Sequence, residues 1–98
     1  MTIIKNSNGT DLTVALEGRL DTTTAPELEQ ALKESMDTAT TLTLDFAKLE
    51  YISSAGLRVL LSAHKTMSKK GGMKVIHVNE IVSEVFDVTG FADILTIE

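Results

Sequence analysis

The stretch Thr40 to Leu61, TTLTLDFAKLEYISSAGLRVLL, decides how the chain folds. Leu42, Leu44 and Phe46 alternate with Thr41, Thr43 and Asp45, a period of two that predicts a strand over Thr40–Phe46 with one buried face. From about Ala55 to Lys70 the period becomes helical. Leu57, Leu60, Leu61, His64 and Met67 form an apolar stripe, Lys65, Lys69 and Lys70 crowd its end, and Gly71-Gly72 stops it. Met73 to Val78, mostly apolar and bounded by Gly72 and Asn79, reads as the next strand. A β-α-β unit of this kind pairs its strands in parallel through a right-handed crossover.

Working outward, Leu12, Val14 and Leu16 alternate with Thr13, Ala15 and Glu17, giving a strand that Gly18 ends. Thr2 to Lys5 is placed to pair with it across Asn6-Ser7-Asn8-Gly9, residues that readily supply the positive φ of a hairpin loop. Thr24-Ala25-Pro26-Glu27 reads as a helix start, with Thr24 as N-cap, Pro26 in the first turn and Glu27 closing a capping box. Leu28, Ala31, Leu32, Ser35 and Met36 then share one helix face. Downstream, Asn79 is placed to cap a third helix that buries Ile81, Val82, Val85 and Phe86. Gly90 suits a left-handed C′ residue, with Phe91 folding back on Phe86. Ile94 to Ile97 reads as a last strand. The expected fold is α/β: one domain over residues 1–98, order ββαβαβαβ, with a mixed, mainly parallel sheet covered by helices.

Composition bounds the function. The 98 residues are 43% hydrophobic and 23% charged, an ordinary balance for one small globular domain. Nine Lys and Arg against 14 Asp and Glu leave a net charge of −5, which argues against nucleic acid and anionic lipid as partners. There is no cysteine, and His64 and His77 lie far apart in sequence, so no metal and no cofactor is expected. Met1 to Asp11 lacks a long apolar run, and no stretch approaches the roughly 18 apolar residues of a membrane span. The reading is a cytoplasmic protein without direct membrane insertion.

Catalytic constellations are also missing. No Gly-x-Ser-x-Gly elbow surrounds Ser54, no Gly-x-x-x-x-Gly-Lys loop is present, and the carboxylates are scattered at solvent-type positions. His64 reads as a satisfied core or boundary histidine. Lys65, Lys69, Lys70 and Lys74 read as a solvated face complementing a helix C-terminus, and Met36, Met67 and Met73 as core filler. No enzyme is expected.

What stands out is the junction itself: Ser53, Ser54 and Gly56 sit where a strand hands over to a helix. A helix start has free backbone N–H groups and a partial positive charge, so it welcomes a capping hydroxyl and tolerates an anion. Two readings of these residues stay open. Either serine caps the helix while Gly56 relieves crowding, or the serines are functional and Gly56 lets another molecule approach closely.

Tyr51-Ile52-Ser53-Ser54-Ala55-Gly56-Leu57 resembles the STAS domain family of bacterial anti-sigma factor antagonists and sulphate-transporter tails. That family's pattern is aromatic, aliphatic, Asp, Ser, Ser or Thr, Gly, Leu, followed by an aliphatic helix. Gly18-Arg19-Leu20-Asp21 is similar to the family's turn before the first helix, and Phe86-Asp87-Val88-Thr89-Gly90-Phe91 to its helix-three ending. The resemblance spans nearly the whole chain. It implies a stand-alone anti-sigma factor antagonist that binds an anti-sigma factor with serine kinase activity and so releases a sigma factor. It further implies that Ser54 is the phosphorylated residue and that a PP2C-type phosphatase reverses the modification. Two positions depart from the pattern: Ser53 stands for the family's Asp and Ala55 for its second Ser or Thr. The expected partner surface is Ser53, Ser54, Ala55, Gly56, Leu57 and Arg58, flanked by Gly18, Arg19, Leu20, Asp21 and Thr22. Gly56→Arg is expected to block binding with little change in thermal midpoint. The alternative is a STAS subunit of a phospholipid-trafficking transporter complex or a signalling scaffold, without a phosphorylation cycle.

Overall fold

A computed structural model describes residues 1–98. Strand β1 (Thr2–Asn8) and strand β2 (Asp11–Leu20) form an antiparallel hairpin, and helix α1 (Ala25–Met36) follows. Strand β3 (Thr41–Ile52), helix α2 (Ser54–Met67), strand β4 (Met73–Ile76), helix α3 (Glu80–Thr89), a 3-10 turn (Phe91–Asp93) and strand β5 (Thr96–Ile97) complete the chain. The sheet order is β1-β2-β3-β4-β5, and every pairing after the hairpin is parallel. The expected ββαβαβαβ order and mixed, mainly parallel sheet are therefore observed. Leu12, Val14 and Leu16, Leu42, Leu44 and Phe46, and Met73 and Val75 turn to one sheet face. There they meet Leu28, Leu32, Leu60, Met67, Val82 and Phe86 from the three helices in a single apolar cluster.

The hairpin is tighter than its sequence suggested. Both strands run to their limit, Asn8 pairs with Asp11, and Gly9 alone adopts the left-handed conformation at φ +64°. The larger difference lies in β2 and β3. Gly18 does not end β2, which continues to Leu20, and β3 does not stop at Phe46 but runs six residues further. The pairing register between them shifts twice, between Ala15 and Glu17 and again between Gly18 and Arg19, where β3 carries an extra residue each time. Each bulge resets the alternation, so β3 buries Leu42, Leu44 and Phe46, then Leu49, then Ile52. Asp45 Oδ1 accepts the Ala47 N–H at 3.0 Å beside the first bulge. These bulges let the strand run unbroken up to the Ser53-Ser54 junction.

The ends of α3 follow local chemistry, and the start of α1 does not. Asn79 Oδ1 accepts the Val82 N–H at 2.8 Å, and Gly90 closes α3 at φ +80°. At α1 the expected capping box does not form. Thr24 is itself helical, and its hydroxyl turns back to donate to Arg19 O and to accept from Asp21 N. The Asp21 carboxylate takes over the cap, accepting from Thr23 N at 3.0 Å and Thr24 N at 3.2 Å. In α3, Val82 and Phe86 are buried but Ile81 is 59% exposed, because only one narrow stripe of the helix meets the sheet. Phe86 pairs with Phe46 at 6.5 Å between ring centroids, while Phe91 packs at the edge of the core. A 3-10 turn reduces the last strand to two residues.

Lys70 is exposed like Lys65 and Lys69, but the helix end it complements is not that of α2. Its ammonium donates to the carbonyls of Met36, Asp37 and Ala39, satisfying the C-terminal end of α1 from across the molecule. Lys70→Met is expected to lose about 1–2 kcal/mol of stability, the scale of charge-assisted bonds to otherwise open carbonyls. Urea denaturation of the two proteins measures it. Equal midpoints would show that water replaces the ammonium at no cost.

Candidate functional site

Strands β2 and β3 finish side by side, with Leu20 paired to Ile52, and the chain then leaves in two directions. One is the turn Asp21–Thr24 into α1; the other is Ser53 into α2. Ser53 N donates to Leu20 O at 2.9 Å, which ties the two exits together. Ser53 is extended at φ −101° and ψ 175°, the backbone geometry of an N-cap, and its carbonyl accepts from Leu57 N at 2.9 Å. Its side chain does not cap. Ser53 Oγ is shielded from solvent and makes no hydrogen bond, so the expectation that this serine caps the helix is corrected. No acidic residue lies in the first turn of α2. The N–H groups of Ser54, Ala55 and Gly56 thus keep their partial positive charge uncompensated by any side chain.

The structure divides the expected partner surface by depth. Arg19, Thr22, Ser54 and Arg58 are exposed, Gly18, Asp21, Ser53 and Ala55 are half-buried, and Leu20, Gly56 and Leu57 are buried. Gly56 faces inward. A Cβ added to it would stand 2.7 Å from Leu20 Cγ and 2.9 Å from Ile52 Cγ1, so its missing side chain makes room for the core and not for a visitor. Leu20, Gly56 and Leu57 shape the surface from beneath. Beside it a shallow groove between α1 and α2 is lined by Thr22, Ala25, Pro26, Glu29, Ala55 and Arg58.

One feature of this rim escaped the sequence reading. Parallel pairing sets Arg19 opposite Tyr51, and the guanidinium lies 4.5 Å from the ring centroid. Such a cation–π contact fixes Arg19 at the rim of the site. Only the register, displaced by the two bulges, brings the pair together.

Two carboxylates, Asp21 at the site and Asp45 farther back along β3, are held below the usual range. Thr23's hydroxyl donates to Asp21 at 2.8 Å, and this bond, with those from Thr24 and the backbone, outweighs partial desolvation. At Asp45 the bond to His77 Nδ1, 2.9 Å long, is the main cause. His77 holds that contact from a left-handed backbone at φ +59°. A depressed carboxyl stabilises the fold above its unfolded value near 4 and loses that contribution as pH falls through the folded value. Asp45→Asn should therefore cost up to about 1 kcal/mol at pH 7 and nothing near pH 2. Denaturant titrations at both pH values check this; an equal cost at both would assign the effect to packing.

His64 Nδ1 is shielded and unpartnered, which corrects the expectation of a satisfied histidine. It lies ten residues along α2 from Ser54, about 15 Å of helix, too far to serve that serine as a base. No group of three or more His, Asp or Glu side chains could hold a metal ion, and no helix is long and apolar enough to cross a membrane.

A two-layer sheet and helix domain whose second helix opens on a Ser-Ser-Ala-Gly-Leu junction belongs to a recognisable class. A family profile described as "Mlab, STAS domain" matches residues 4–96, and the chain belongs to the STAS domain family. Within it, the chain is 31% identical over 91 residues to the anti-sigma-B factor antagonist of Bacillus subtilis (strain 168). The match covers 92% of this chain and 84% of that protein. An anti-sigma factor antagonist from Mycobacterium paratuberculosis superposes with a TM-score of 0.89 at 25% identity, over 98% of this chain and 83% of that one. The anti-sigma factor antagonist SpoIIAA in its unphosphorylated form shares the fold, with a TM-score of 0.85 at 16% identity over 99% of this chain and 88% of that one. These relatives are named as anti-sigma factor antagonists.

Proposed function

We propose that this anti-sigma factor antagonist captures its anti-sigma factor on the surface around the start of α2, and that Ser54 is the switch. The anti-sigma factor is also a serine kinase: Ser54 Oγ attacks the γ-phosphorus of ATP, the bond to ADP breaks, and the hydroxyl proton passes to a base on the kinase. A PP2C-type phosphatase removes the phosphate and restores binding. One observation carries the reading. Ser54 is the exposed hydroxyl at an uncapped, acid-free helix start, and the resemblance to the family implies it as the acceptor. Ser53, whose Oγ is shielded, offers no nucleophile to a kinase.

Mass spectrometry after incubation with the partner kinase and ATP tests it. A single phosphate on Ser54, absent from Ser54→Ala, is expected; phosphate on Ser53 would sink the assignment. The second reading, a STAS subunit of a phospholipid-trafficking assembly, is favoured by Ser53 in place of the family's Asp. It requires a partner bound constitutively through this surface and an unmodified Ser54.

A further inference from the structure

We infer that Arg58 is the intramolecular counter-ion of a phosphate carried on Ser54, so that phosphorylation takes Arg58 out of the partner surface as well as adding charge to it. The inference rests on Ser54 being the modified residue and concerns how that modification is held.

The chain has two arginines. Arg19 is committed, stacked on Tyr51 and within 4.0 Å of Asp21. Arg58 is exposed and has no carboxylate within ion-pair distance and no hydrogen bond from its side chain. It stands four residues after Ser54 on α2, and both are exposed, so the two share one helix face a single turn apart. In the unmodified chain that guanidinium has nothing to neutralise. An acceptor hydroxyl followed one turn later by an uncommitted arginine is the spacing at which a phosphate and a guanidinium meet in a bidentate pair.

The surroundings supply no better partner for either group. Of the charged side chains near the groove, Glu29 of α1 is held by Lys33 at 3.1 Å, and Asp21 by Thr23, Thr24 and Arg19. Ser53 Oγ, turned inward, leaves the first-turn N–H groups free to share the phosphate oxygens. Arg58 therefore has two duties that exclude one another. It faces the partner while Ser54 is a hydroxyl, and it folds over Ser54 once that residue is a phosphate.

The test uses full-length protein with phosphoserine placed at position 54 by semisynthesis, so it depends on no kinase. The second ionisation of the phosphate, near pH 6 for a free phosphoserine, is followed by phosphorus NMR. An arginine at this spacing should hold it about 0.3 of a pH unit lower than in Arg58→Gln, with Arg58→Lys in between. Backbone amide spectra confirm that the variants are folded. Coincident titration curves for the parent and Arg58→Gln would overturn the inference. A kinase that leaves Ser54 untouched would instead overturn the assignment of the switch, an outcome read from a different experiment.

Discussion

Gly56→Arg will unfold or grossly destabilise the domain, and the milder Gly56→Ala will already lower its thermal midpoint. In most helices Gly→Ala gains up to about 1 kcal/mol from propensity. At Gly56 that gain is opposed by a methyl group 2.7 Å from Leu20 Cγ and 2.9 Å from Ile52 Cγ1, both side chains almost fully buried. Overpacking of this kind costs about 1–3 kcal/mol even after relaxation, so the net change for Ala is a loss of about 1 kcal/mol. Arginine cannot relax in this way. It must either bury an unpaired guanidinium or push α2 off the ends of β2 and β3, a cost of several kcal/mol against a total stability of about 5–15. Thermal denaturation by circular dichroism checks both variants. A Gly56→Ala midpoint at or above the parent's would mean that Leu20 and Ile52 repack freely, and a Gly56→Arg midpoint near the parent's would uphold the expectation of a mutation that affects binding alone.

Phosphate on Ser54 should weaken binding of the anti-sigma factor about a hundredfold while leaving the domain's own fold unchanged. The modification adds about −1.5 to −2 charges at the start of α2, where no acidic residue and no side-chain cap yet compensate the helix dipole. In the free domain the anion is therefore welcome. The cost falls on the complex, which must strip water from the phosphate and give up the contacts of the surface beneath it; about 3 kcal/mol corresponds to that hundredfold loss. Calorimetric titration of both forms with the anti-sigma factor measures the difference. Amide spectra should match outside residues near Ser54 and Arg58. Equal affinities, or shifts spread across the sheet, would refute the mechanism.

Much of this was written in local sequence, because the features concerned are set by neighbours in the chain. Period-two alternation marked the first half of β3, the apolar stripe of Leu57, Leu60 and Met67 marked α2, and Asn79 and Gly90 delimited α3 as their chemistry requires. The Ser53-Ser54-Ala55-Gly56-Leu57 junction likewise announced itself as the place to look. Other features depend on what lies across the sheet or across the core, and no local window contains them. The two bulges that carry β3 on to Ile52 exist because β2 and β3 differ in residue count over the same span, and the resulting register alone sets Arg19 on Tyr51. Lys70 reaches a helix end more than thirty residues earlier in the chain. Gly56 looked like an opening for a partner until Leu20 and Ile52 filled the space in front of it. A glycine in a sequence says only that a side chain is missing, and the packing around it determines which neighbour occupies the room.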